Sequence, residues 1–226
     1  SSIDFSYVAD IDQTSTGAAS ASFTETGVGF FSAFQYPLGT PVSAATTGLN
    51  NGYRMYGVFT GGGTVVPGPG GAGVDGTFTS FNLTIYIDPN EDSATVPAVA
   101  GGPNQTTSVS NTGDDIAILT GVLDIGGFHV FGGLANGDFD VLFTVTSYDA
   151  SIWGGDAFAG AVVMGDINGV NTSIVGLGAP IFGDKTDIII RGSGNVALKT
   201  SVPVPGILGL MGAGLLGLGV ISRRRN

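Results

Sequence analysis

The chain has 226 residues, among them 40 glycines and 10 prolines. It is 42% hydrophobic and only 11% charged, which supplies a core and excludes a disordered, weakly hydrophobic polypeptide. The net charge is −11: all eighteen acidic residues lie at or before Asp187, and only Arg54, Lys185, Arg191 and Lys199 oppose them before Ser201. Such a body repels phosphate backbones, which argues against nucleic acid as a partner, and the absence of cysteine excludes disulfides, thiol catalysis and cysteine zinc sites.

The chain opens on Ser1 without a methionine, which leads us to expect a leader removed on export. From Ser1 to Thr200 the apolar residues alternate with period two, the signature of strands with one buried face. Expected strands in chain order are Ile3–Val8, Phe23–Phe31, Tyr53–Thr60, Thr77–Ile87, Ile116–Leu123, Gly127–Phe131, Asp138–Tyr148, Phe158–Met164, Thr172–Val175, Asp187–Arg191 and Asn195–Leu198. The clearest is Thr77–Ile87, with Phe81, Leu83, Ile85 and Ile87 on one face. In Asp138–Tyr148, Phe139, Val141, Phe143 and Val145 alternate with Asp140, Leu142, Thr144 and Thr146. The glycine-rich run Gly61–Gly73 and the stretch Pro97–Gly113 read as loops. Short strands of this kind describe an all-β chain: a single β-sandwich or barrel-like domain over residues 1–200.

Chemistry-bearing motifs are few. His129, the single histidine, sits in GGFHVFGG and reads as a histidine on a strand, because a general base needs partners that the sequence does not place beside it. No G-x-S-x-G elbow and no H-E-x-x-H is present. Gly68-x-Gly70-x-x-Gly73 and Gly212-x-Gly214-x-x-Gly217 match a dinucleotide fingerprint but lack the strand–turn–helix setting that brings a helix N-terminus to a pyrophosphate. Asp88, Asn90 and Asp92 offer side-chain oxygens at alternate positions, a spacing that suits a hard cation such as calcium, or else a solvated turn after a strand. Asp114-Asp115 and Asp166-x-Asn168 are lesser candidates, and Trp153 is either a stacking platform or a core residue. No catalytic residue and no organic cofactor is expected.

Residues 201–226 differ from everything before them. Val202–Ile221 is uncharged, with Pro203 and Pro205 near its start, and Arg223, Arg224 and Arg225 follow. Prolines stand before a helix but not inside it, so a helix from Gly206 to Ser222 is expected, about 25 Å long at 1.5 Å per residue. With its flanks it suits a single membrane span whose arginines stay in the cytoplasm. Gly209, Ala213 and Gly217 form a small-residue stripe that would admit a neighbouring helix.

The Val202-Pro203-x-Pro205 start, the Leu/Gly-rich span and the arginine triplet resemble the PEP-CTERM sorting tail. Val204 stands where the common form has glutamate. Tyr53-Arg54-Met55-Tyr56-Gly57, Leu83–Asn90 with Asp92, Gly113-Asp114-Asp115-Ile116 and Thr120-Gly121 resemble the flocculation-associated group of that class. The resemblance implies an exported protein of the exopolysaccharide matrix, an exosortase-like processing partner and a non-enzymatic role in aggregation. Two other readings stay open: an accessory subunit of an inner-membrane assembly, packed through the small-residue stripe, and a secreted carbohydrate-binding module.

Overall fold

The computed structural model describes residues 2–36, 39–102, 105–132, 134–153 and 162–201. Among them, strands β1 (Ser2–Gly17), β2 (Ser20–Gln35), β3 (Arg54–Pro67) and β4 (Val74–Asp88) run up and down as an antiparallel meander. A short hairpin of β5 (Ala94–Val96) and β6 (Ser108–Ser110) interrupts the meander. It resumes with β7 (Ile116–Val130), β8 (Gly137–Tyr148), β9 (Val162–Val175) and β10 (Lys185–Ser201), and β10 pairs with β1 to close an eight-stranded barrel. The expectation of an all-β domain holds, and of its two architectures the closed barrel is the one found. Two four-residue helices, α1 (Ala44–Thr47) and α2 (Ala150–Trp153), lie in the connections. Among the described residues no helix is long and apolar enough to cross a membrane, and the expected span lies in residues 202–226, outside the described residues.

The strands are longer than the sequence suggested. β3 continues through Gly61, Gly62 and Gly63, which had read as the start of a loop. β9 and β10 run unbroken through Gly165, Gly169, Gly192 and Gly194. One packing rule explains most of these. At seven positions an inward-facing glycine sits directly across from an aromatic residue: Gly27 faces Phe59, Gly63 faces Phe23, Gly76 faces Phe128, Gly165 faces Phe143, Gly169 faces Phe139, and Gly192 and Gly194 face Tyr7 and Phe5. A Cβ placed at Gly27, Gly76 or Gly165 would overlap the opposing ring. Phe143, fully buried, lies over both Gly165 and Gly121.

Eight strands leave an interior just wide enough for side chains. Here the rings form a connected network. Tyr7 meets Phe139 edge-on at 5.4 Å, Phe59 stacks on Phe81 at 5.7 Å, and Phe23, Phe78 and Phe128 meet one another at 5.4–5.7 Å. Such contacts add about 0.5–1.5 kcal/mol per pair beyond area burial. β7 passes the gap between two expected strands by a register shift between Leu123 and Ile125, a bulge that bends the strand without ending it. Leu49, from the β2–β3 connection, is buried among the core residues.

Overfilling this core is therefore costly. Gly76→Ala should destabilise the fold by roughly 1–3 kcal/mol, read as a lower urea midpoint. Gly178→Ala, where an added Cβ meets nothing within 4 Å, should shift stability by less than about 0.5 kcal/mol. Equal effects of the two changes would contradict the packing rule.

Candidate functional site at the barrel seam

The barrel interior is nearly full. Among the described residues it holds a small cavity of about 70 Å³ between Phe5, Phe59, Phe81 and Phe139, with Glu25, Tyr7 and Asn171 as its polar groups. Tyr7 donates its hydroxyl proton to Asn171 Oδ1. Glu25 faces inward across from Ile11 and is buried. Burial, and then the charge of Asp10, push its carboxyl up to about 8.

The outer face carries an arm, residues 89–115, which includes the β5–β6 hairpin. Its base is pinned to β3 and β4. Tyr56 donates to Asp115 Oδ2, Ser93 Oγ donates to the same carboxylate at 2.9 Å, and Ser93 N donates to Asp88 Oδ2 at 2.9 Å. Arg54 Nη1 donates to Ser93 O at 2.7 Å, and Tyr56 stacks on Tyr86 at 5.1 Å. β6 lies against β2, where the outward-facing Val28 is buried. The far end reaches β10: Gln105 N donates to Asp187 Oδ1 at 2.9 Å and Gly101 N to Asp187 O at 3.3 Å.

That far end covers the seam where the first and last strands meet. Asp10 and Asp12 project outward from β1, and Asp187 lies opposite at a register shift, with φ +51°. Asp187 N donates to Asp12 Oδ1 at 3.0 Å. One carboxylate oxygen from each of the three lies within 4.8 Å of the others. Asp187 is fully buried and Asp10 is 3% exposed. None of the three forms an ion pair with lysine or arginine among the described residues. Burial, then Asp187 and Asp12, raise Asp10 to about 7.

The sequence-predicted residues fall elsewhere. Asp88 is buried and closes a turn; burial opposes its ionisation, but hydrogen bonds from Ser93, Glu91 and Asp92 outweigh it and hold its carboxyl below the usual range. Asn90 and Asp92 are exposed. Desolvation and the carboxylates of Asp114, Asp88 and Asp115 raise Asp92. Asp166 pairs with Lys199 at 2.8 Å, and Asn168 accepts from Asn195 Nδ2 at 3.0 Å. His129 lies on β7, as read, with Nδ1 against Asp75 across the ladder. No hydroxyl nucleophile is bonded to it among the described residues. Trp153 packs against the core and donates Nε1–H to Ile118 O at 2.9 Å. Gly68-x-Gly70-x-x-Gly73 forms the β3–β4 turn, with a single 3₁₀ turn and no following helix. Val202, Pro203, Pro205, Gly209, Ala213, Gly217, Arg223, Arg224 and Arg225 lie outside the described residues.

Sequence reasoning missed Asp10, Asp12 and Asp187 because only barrel closure brings them together. The available signal was aspartate inside strand patterns, where it is disfavoured. No protein family, curated protein or solved structure matches the chain.

Glu25 gives a pH test. Its folded carboxyl holds its proton more tightly than the unfolded one, so its contribution is complete below about pH 4.5 and is lost as pH rises toward about 8. With a chelator present, the melting temperature should fall across that window, and Glu25→Gln should flatten the fall. A parent whose stability rises over the same window would contradict the assignment.

Proposed function

We propose that the chain is an exported, non-enzymatic structural protein of the cell surface or exopolysaccharide matrix, held by a membrane span in residues 201–226 and sorted through it. The observation that supports this is the filled barrel. A cavity of about 70 Å³ is far below the 300–1,000 Å³ typical of ligand pockets, so a large partner meets the domain on its outside. That outside carries ladders of polar side chains between exposed apolar ones such as Val122 and Val170. Thr120 bonds Thr146 and Ser147 at 2.8–2.9 Å, and Asn195 bonds Asn168 across the ladder.

The apolar interior contrasts with the polar lumen of a barrel that crosses lipid with its strands. Membrane attachment is therefore assigned to the tail, whose proline-led span and arginine triplet resemble the PEP-CTERM signal. The residues that resemble the flocculation-associated group gather at the base of the arm: Arg54, Tyr56, Tyr86, Asp88 and Asp115. They act there as a brace for an outer-surface feature, which supports a role in presenting that surface.

Cell fractionation tests the reading. The full chain should be found with the membrane or surface material, and a chain ending at Ser201 should be released to the periplasm or medium. Cells lacking the protein should aggregate less. Retention of both chains in the cytosol, or unchanged aggregation, would contradict it.

A further inference from the structure

We propose that Asp10, Asp12 and Asp187 form a calcium site that ties the first strand of the barrel to the last. The proposal is independent of where the protein resides or what it assembles with. Two separate observations carry it. The first is convergence: oxygens of three carboxylates from opposite ends of the chain lie within 4.8 Å of one another. Oxygens bound to one calcium at about 2.4 Å lie at most about 4.8 Å apart, so the three are close enough for small side-chain shifts to bring them onto one ion.

The second observation is unmet coordination. Asp10 Oδ1 and Asp187 Oδ2 are sealed from solvent and have no hydrogen-bond partner among the described residues. Buried carboxylate oxygens are normally paired, because an unpartnered buried charge is among the most costly features a fold can hold. Among the described residues no lysine or arginine pairs with the three acids. A hard divalent cation satisfies the free oxygens and their charge together. The bonds already present turn the carboxylates to face each other: Asp187 N fixes Asp12 Oδ1, and Gln105 N fixes Asp187 Oδ1. Each leaves the second oxygen of its carboxylate available.

The place of the site gives it a consequence. β1 and β10 close the barrel, and the arm crosses to this point through Gln105 and Gly101. One ion here links three parts of the chain that share no local sequence. The selectivity follows from the ligands: oxygen donors only, with three formal negative charges, favour calcium over softer metals.

Isothermal titration of the full chain with calcium chloride after chelator treatment tests this, alongside thermal unfolding. The parent should take up one ion per chain at the seam and melt several degrees higher in calcium than in chelator. Asp10→Asn and Asp187→Asn should each abolish that uptake and the gain in melting temperature. Asparagine tolerates the positive φ at position 187, so the second variant keeps its backbone. Asp92→Asn, on the exposed turn, should bind as the parent does. No calcium uptake by the parent would overturn the proposal. So would unchanged uptake in both seam variants, or loss of it in Asp92→Asn alone.

Discussion

Everything in this molecule depends on a steric pairing: an aromatic ring on one strand lies over a glycine on the next. An eight-stranded barrel has a narrow interior, and Phe, Tyr and branched residues from every strand compete for it. Gly165 and Gly121 make room for Phe143, Gly76 for Phe128, and Gly192 for Tyr7. The glycines weaken the strands locally, and the rings placed over them restore the lost packing. The result is a filled core with a small cavity, which moves recognition to the outer surface.

That outer surface is organised by the arm between β4 and β7. It is anchored near Tyr56 and Asp115 and ends at Asp187. Its far end meets the seam between β1 and β10, where the barrel closes through contacts between its first and last strands. Non-local closure carries the largest loop entropy, so a connection made there gains most from being fixed. The three seam aspartates add like charges to this junction, which isolates a specific electrostatic problem at the point where the fold closes.

The sequence made the alternation legible. Phe81, Leu83 and Ile85 on β4 and Phe139, Val141 and Phe143 on β8 face the core as their spacing predicts. The strand lengths were not legible, because Gly61–Gly63 and Gly192–Gly194 read as breaks by composition, and only the cross-strand register shows the rings that Gly63, Gly192 and Gly194 accommodate. Barrel against sandwich was likewise undetermined, since the pairing of β1 with β10 leaves no local trace. The candidate site was hidden for the same reason: Asp10 and Asp187 are adjacent only after closure. His129 and the glycine-rich turn behaved as their context implied. The acidic turn at Asp88–Asp92 uses its first carboxylate to close a turn, a role that spacing alone does not distinguish from cation binding.

The most direct measurement is a double-mutant cycle on Phe143 and Gly165 in equilibrium unfolding. If the ring over the glycine is the governing contact, Gly165→Ala should be destabilising in the parent. Most of that loss should disappear in a Phe143→Leu background, giving a coupling energy of at least about 1 kcal/mol. Strictly additive effects would contradict the account, because the added methyl would then be meeting something other than the ring.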